Sequence, residues 1–136
     1  MISALDSSVI LDVLAGDARH ADASERLLRR ASLEGQLVVC ECVLAEIRPA
    51  FGGDGEMESF LADWQVQFVP SSEACAKLAG RHFAAYLQRG GKGGRVVPDF
   101  LIGAHAQTHA DRLLARDRGY WRDYFKGLKV LDPGHS

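Results

Sequence analysis

Short apolar runs alternate with helix-forming segments along almost the whole of this 136-residue chain. The apolar runs typical of buried strands lie at residues 2–5, 37–40, 66–69, 113–114 and 128–131. Helical spacing or composition marks residues 9–14, 18–34, 42–47, 54–64, 71–88 and 99–109. Strands that are separated by helices pair in parallel, so the pattern predicts an α/β sandwich around a largely parallel central sheet.

Turn and cap residues support these boundaries. Ser7 and Ser8 offer an N-cap for the first helix, and Pro98 stands where a first-turn proline is tolerated. Residues 90–94 (GGKGG) are the one clear flexible loop. This loop lacks the order of glycines, lysine and hydroxyl residue that defines a nucleotide phosphate loop, so we interpret it as a connection beside the site.

Size and composition favour an ordinary globular protein. The chain is 47% hydrophobic and 25% charged, and its length suits a single domain over residues 1–136. Neither a membrane-spanning apolar run nor a secretory leader is recognisable, so we expect no membrane association and a cytoplasmic location. The odd number of cysteines (Cys40, Cys42 and Cys75) predicts reduced, mostly buried thiols.

Charge is distributed unevenly between the two halves of the chain. Residues 1–76 contain 5 Lys or Arg and 13 Asp or Glu, whereas residues 77–136 contain 11 and 5. A domain polarised in this way can present a positive surface that attracts phosphates while it remains acidic overall. An uneven but merely solvated surface explains this feature equally well.

Acidic side chains follow the predicted strands. Asp6 comes directly after the first strand, Glu46 about one helical turn after the second, and Asp117 after the strand at 113–114, while Asp99 opens a helix. Active sites of parallel sheets form at the carboxyl ends of the strands. Converging carboxylates repel one another unless a cation neutralises them, and oxygen-only ligands suit Mg²⁺ or Mn²⁺. The pattern indicates metal-assisted phosphodiester hydrolysis.

A purely structural interpretation exists for each acid taken alone. Asp6 and Asp99 suit helix caps, Asp117 suits a turn, and Glu46 suits the surface of a short helix. The four together are harder to explain in this way, because all lie near apolar segments where an unpaired carboxylate is costly.

Four stretches of the sequence stand in a recognisable order and spacing: residues 4–11 (ALDSSVIL), 45–47 (AEI), 97–106 (VPDFLIGAHA) and 113–120 (LLARDRGY). Together they resemble the PIN domain family, and within it the VapC-type toxin ribonucleases of toxin–antitoxin pairs. The resemblance in order, spacing and total length covers nearly the whole chain. It implies a PIN-like three-layer α/β/α sandwich.

The resemblance also implies a site. Asp6, Glu46, Asp99 and Asp117 match the acidic quartet that holds Mg²⁺ or Mn²⁺ in PIN nucleases, where a divalent ion assists the attack of water on the RNA phosphate. Ser8 matches a small polar residue that orients the acids. This chain departs from many relatives at Ala115, where Ser or Thr is common, and the departure removes a polar contact close to Asp117.

Basic residues around these motifs are candidates for contacts with RNA phosphates. They are Lys92 and Arg95 near the glycine-rich loop, and Arg116, Arg118 and Arg122 near the last acid. The aromatic residues among them have a second interpretation. We expect Trp121 and Phe125 to close the core.

Two further features have mainly structural interpretations. Asp12, on the first helix, faces either the site or solvent, and we expect solvent. His105 and His109 are four residues apart, a spacing that can hold zinc. No Glu follows His105 as a metalloprotease motif requires, so a packed or hydrogen-bonded pair is the favoured interpretation.

The sequence therefore predicts a metal-dependent endoribonuclease that acts as the toxin of a toxin–antitoxin pair. The resemblance implies a homodimer and a cognate antitoxin that blocks the acidic site, with a basic side chain among the carboxylates. One alternative is a PIN nuclease in RNA processing outside such a pair, which a gene for a DNA-binding partner directly upstream would argue against. Another is a non-catalytic α/β binding module in which the acids serve as caps and surface residues.

Overall fold

A computed structural model describes residues 1–16, 18–93, 96–116 and 119–135. Over these residues the chain alternates strands and helices as the sequence predicts. In chain order they are β1 (Ile2–Leu5), α1 (Ser7–Ala15), α2 (Ala21–Glu34), β2 (Gln36–Val39), α3 (Glu41–Ile47), α4 (Asp54–Asp63), β3 (Val66–Phe68), α5 (Glu73–Gln88), α6 (Val97–His109), β4 (Arg112–Leu114), α7 (Tyr120–Tyr124) and β5 (Val130–Leu131). Short 3₁₀ turns occupy Arg48–Ala50 and Pro133–His135.

The strands form one parallel sheet in the order β3-β2-β1-β4-β5. The first strand of the chain is therefore the central one, and it pairs on one side with β2 (Ala4 beside Val38) and on the other with β4 (Leu5 beside Leu114). The chain moves outward through β2 and β3 and then returns to β4 and β5. Right-handed crossovers in opposite directions place helices on both faces of the sheet, which gives a three-layer α/β/α sandwich.

The central strands are apolar because helices cover both of their faces. Leu5, Val38 and Leu113 are among the strand residues with at most 2% of their surface exposed. Trp121 and Phe125 are each 1% exposed, which confirms that these aromatic residues close the core. They pack against Gly103 of α6, where a Cβ atom would lie 2.6 Å from Trp121 Cδ1, so only glycine permits this approach.

Most element boundaries agree with the sequence within two or three residues, and three differences have physical causes. Asp6, rather than Ser7 or Ser8, is the N-cap of α1, because the side chain of Asp6 accepts the amide of Ser8. The last strand is shorter than predicted, since only Val130 and Leu131 pair with β4. The sequence pattern did not predict α7, a helix of five residues. Gly119, which precedes it, has the left-handed backbone conformation.

The predicted state of the cysteines is confirmed. All three are free thiols, with Cys40 and Cys75 buried and Cys42 half-buried. Within the described part of the chain, no helix is both long enough and apolar enough to span a membrane.

Candidate active site

Asp6 stands at the carboxyl edge of the sheet, between the ends of β1 and β4. Its amide donates to the carbonyl of Leu114 over 2.9 Å, which continues the β1–β4 ladder by one residue. Its carboxylate is 3% exposed, and Oδ2 accepts the amide of Ser8 at 3.2 Å and the Ser8 hydroxyl at 2.5 Å. Asp6 is therefore a helix cap, as the structural interpretation predicts, but it is also a buried carboxylate at the edge where parallel sheets place their sites.

Ser8 joins this carboxylate to the segment that follows β4. Its Oγ donates to Asp6 Oδ2 and accepts the backbone amide of Arg116 at 3.2 Å. One hydroxyl thus connects the start of α1 with a residue 108 positions later in the chain. Ser8 thus holds one oxygen of the Asp6 carboxylate, and its task in orienting the acids stays a prediction.

Asp99 reaches the same edge of the sheet from the other direction. Only two residues separate the end of α6 from the start of β4, so the C-terminus of α6 lies at the amino edge of the sheet. The first turn of α6 therefore lies at the carboxyl edge. Asp99 stands in this first turn and is 9% exposed. Its carbonyl accepts the indole N–H of Trp121 at 2.7 Å, which ties the start of α6 to α7.

Glu46 is more remote from the strand ends than Asp6. It lies in the last turn of α3, five residues from the start of that helix, which is about 7.5 Å along the helix axis. The side chain is exposed. α3 itself packs against both α1 and α6, the helices whose first turns stand beside Asp6 and contain Asp99.

The remaining predicted residues fall into three groups. Asp117, Arg95 and Arg118 lie outside the described residues. Lys92 and Arg122 are exposed, as contacts with RNA require. Arg116, the fifth predicted contact, has 41% of its side chain exposed, and its guanidinium pairs with an acid of the protein.

That acid is Asp12, and the expectation that Asp12 faces solvent is wrong. Asp12 is 3% exposed; Oδ1 lies 3.0 Å from Arg116 Nη2, and Oδ2 accepts the hydroxyl of Ser24 at 2.7 Å. The sequence does contain one signal for this position. Asp12 stands four residues after Ser8, so both side chains share one face of α1.

The two histidines form a packed pair, as predicted, and one of them contacts a backbone carbonyl. The rings of His105 and His109 are 5.3 Å apart, and His105 Nε2 lies 2.7 Å from the carbonyl of Val69. Burial holds the pKa of His105 below its usual range, and the nearby His109 acts in the same direction. Among the described residues, no group of three or more His, Cys, Asp or Glu side chains is arranged to hold a metal ion.

The described geometry thus places two buried carboxylates, Asp6 and Asp99, at one edge of the sheet. Their oxygens are hard donors of the kind that Mg²⁺ and Mn²⁺ prefer. Mg²⁺ commonly binds proteins through one or two carboxylates while it keeps several waters, so two acids suffice for such an ion. The donor chemistry of these two residues therefore fits a divalent cation.

The fold and this acidic edge agree with the result of family comparison. The profile of the PIN domain family matches residues 4–125. This match covers most of the chain, and the chain therefore belongs to the PIN domain family.

Solved structures extend the comparison. A chain of VapBC2 from Rickettsia felis bound to a promoter DNA fragment is 18% identical, with a TM-score of 0.73 over 97% of this chain and 98% of that one. FitAcB from Neisseria gonorrhoeae is 20% identical, with a TM-score of 0.72 over 100% of both chains. A toxin–antitoxin complex from Klebsiella pneumoniae is 20% identical, with a TM-score of 0.65 over 96% of this chain and 97% of that one. No curated protein sequence matches this chain significantly. At these identities the likeness shows a shared fold.

Proposed function

We propose that this protein is a metal-dependent endoribonuclease and the toxin of a toxin–antitoxin pair. The observation that carries the proposal is the placement of two buried carboxylates, Asp6 and Asp99, at the carboxyl edge of a PIN-domain sheet. Structural neighbours that include a toxin–antitoxin complex support the toxin role. The substrate is RNA in the cytoplasm.

Asp6 and Asp99 would hold Mg²⁺ or Mn²⁺, and Glu46 and Asp117 complete the proposed acidic set. A divalent ion there supplies positive charge that stabilises the phosphate while a water attacks it. Ser8 holds one oxygen of Asp6 in place by its hydroxyl and amide hydrogen bonds. Asp6 and Asp99 are only 3% and 9% exposed, so salt screens their charges less than those of surface carboxylates.

Five basic side chains are proposed to hold the RNA backbone next to these acids: Lys92, Arg95, Arg116, Arg118 and Arg122. They belong to the basic half of the chain, and their role is to bind phosphates without reading a base sequence.

The proposed protein partners are a second copy of this chain and an antitoxin. An acidic site without its cation attracts a basic side chain, so an inhibitor that inserts Arg or Lys between Asp6 and Asp99 would neutralise the carboxylates and occupy the place of the ion. The acidic half of the chain is consistent with a partner that is basic where it binds.

The test is cleavage of a labelled structured RNA by the purified protein with Mg²⁺, with Mn²⁺ and with EDTA. We expect cleavage with either metal, none with EDTA, and none by Asp6→Asn or Asp99→Asn. Asp63→Asn, at an exposed aspartate at the end of α4, is the matched control and should cleave as the wild type does.

Calorimetric titration with Mn²⁺ separates an unsuitable RNA from the absence of a nuclease. Wild-type protein that binds Mn²⁺ but leaves this RNA intact is an enzyme tested on the wrong substrate. Protein that neither binds Mn²⁺ nor cleaves RNA is not the enzyme proposed. A third experiment co-expresses the DNA-binding protein that is encoded directly upstream. If this protein does not suppress cleavage, the result supports a PIN nuclease outside a toxin–antitoxin pair.

A further inference from the structure

An ion pair with one buried partner, Asp12, and one partly exposed partner, Arg116, is linked through Ser8 to the candidate site. Asp12 of α1 is 3% exposed, and its two oxygens have different partners: Arg116 Nη2 at 3.0 Å and the Ser24 hydroxyl at 2.7 Å. Ser24 belongs to α2 and has no exposed surface. The pair therefore attaches the segment after β4 to two helices at once.

Arg116 is held a second time, by its backbone. Its amide donates to Ser8 Oγ, and the same hydroxyl donates to Asp6 Oδ2. The side-chain and main-chain contacts together fix Arg116 in position and in orientation. Three hydrogen bonds and one ion pair therefore connect Ser24, Asp12, Arg116 and Ser8 in turn with the carboxylate of Asp6.

Stability alone is a poor explanation for this arrangement. A buried carboxylate loses its hydration, and well-packed apolar residues commonly stabilise a fold as well as a buried ion pair does. Leu, Val and Ile fill the neighbouring positions of α1, so an apolar residue in place of Asp12 would suit the helix. What Asp12 adds is a directional contact with Arg116, beside the site.

We propose that Asp12 is a positioning residue. Its ion pair with Arg116 holds the segment after β4 in a place where the Arg116 amide can donate to the Ser8 hydroxyl. The Ser8 hydroxyl in turn fixes the carboxylate of Asp6 for metal binding. The inference rests on the proposed nuclease function. Contacts that orient metal-binding carboxylates typically change metal affinity or activity by roughly 10–100-fold when they are removed.

The chain contains a matched control for this pair. Arg112, at the start of β4, lies 2.8 Å from Glu34 with side-chain exposures of 3% and 45%, while Asp12 and Arg116 have 3% and 41%. The two pairs are alike in length and burial, but the Arg112–Glu34 pair stands at the amino edge of the sheet, away from Asp6. Glu34→Ala removes this ion pair, and a longer contact with Arg30 at 3.7 Å, without touching the residues around Asp6.

The experiment measures Mn²⁺ affinity by calorimetry, RNA cleavage and Tm for wild type, Asp12→Ala and Glu34→Ala, at a temperature where all three are folded. We expect Asp12→Ala to lose roughly 10–100-fold in Mn²⁺ affinity or in kcat. Glu34→Ala should lower Tm and leave metal affinity and kcat at wild-type values.

A conservative variant separates positioning from packing. Asp12→Asn keeps oxygen and nitrogen atoms within reach of Arg116 and Ser24, so it should recover most of the affinity that Asp12→Ala loses. The inference would be overturned if Asp12→Ala and Glu34→Ala lost Mn²⁺ affinity and kcat equally, or if Asp12→Ala kept the wild-type Mn²⁺ affinity and kcat. The proposed nuclease function would stand in both cases. If Asp12→Ala does not fold, Ser24→Ala replaces it, with weaker Mn²⁺ binding expected and unchanged binding overturning the inference. If the wild-type protein neither binds Mn²⁺ nor cleaves RNA, the result contradicts both the nuclease function and the role of Asp12.

Discussion

Replacement of Ser8 by alanine is the sharpest test of how the candidate site is assembled. The hydroxyl of Ser8 is the only described group that bonds both the Asp6 carboxylate and the Arg116 amide. Alanine keeps the Ser8 amide that caps α1, so the helix still has its N-cap. The substitution therefore removes the bridge between α1 and the segment after β4 and little else.

The size of the effect follows from the two bonds that disappear. A hydrogen bond to a charged group contributes about 1.5–3 kcal/mol, and a buried amide left without a partner costs about 1–3 kcal/mol. Water entering at this partly exposed edge offsets some of the loss, so we expect the free energy of unfolding to fall by about 2–4 kcal/mol. Activity should fall by roughly 10–100-fold, because Asp6 loses the group that orients it.

Ser3→Ala is the control for this experiment. Ser3 lies on the same strand-to-helix unit, has no exposed surface, and its hydroxyl accepts Arg112 Nε at 2.7 Å. Its removal also costs a charged hydrogen bond, but at the amino edge of the sheet. Thermal unfolding and metal-dependent RNA cleavage should be measured for both variants, and only Ser8→Ala should lose activity beyond its loss of stability. Equal activity in the two variants at matched fractions of folded protein would refute the role given to Ser8.

Three further predictions concern packing, pH and RNA binding. Gly103→Ala should lower the free energy of unfolding by about 1–2 kcal/mol, because the steric clash of a Cβ 2.6 Å from Trp121 Cδ1 costs more than the better helix propensity of alanine contributes. An unchanged Tm would contradict this packing. Because burial lowers the pKa of His105, the folded state resists its protonation, so its contribution to stability is present above about pH 6.5 and is lost as the pH falls below that value. His105→Gln should therefore show a smaller drop in Tm between pH 7.5 and pH 5.5 than the wild type, and an identical drop would assign the pH dependence to other groups. Lys92→Gln combined with Arg122→Gln should raise the KM for RNA and reduce its salt dependence with kcat unchanged, whereas a fall in kcat alone would argue against phosphate binding by these side chains.

The parts of the fold that depend on short-range patterns could be predicted from the sequence. Parallel pairing follows from the alternation of apolar runs and helices, and it places Asp6 and the residues after β4 at one edge. The position of Asp99 at the opposite end of its helix from β4 follows from the two-residue connection between α6 and that strand. These inferences need only local periodicity and the geometry of parallel sheets.

What could not be predicted depends on partners far away in the chain. The sequence shows Asp12 as one acid on an amphipathic helix, and nothing local reveals that Arg116 and Ser24 will pair with it. Likewise, the sequence offers Asp6, Ser7 and Ser8 as helix caps, but it does not reveal that the Ser8 hydroxyl bonds both the Asp6 carboxylate and the Arg116 amide. Buried polar networks of this kind are specified by three-dimensional proximity, which periodicity does not encode.

The central position of β1 has a consequence for how the protein is made. β1 is synthesised before the other strands of this sheet, and its partner β4 and the Arg116 amide follow more than a hundred residues later. Such distant contacts form late and slowly, because a long stretch of chain must be ordered before they stabilise the fold. A nascent chain therefore has no assembled site until translation has passed Arg116.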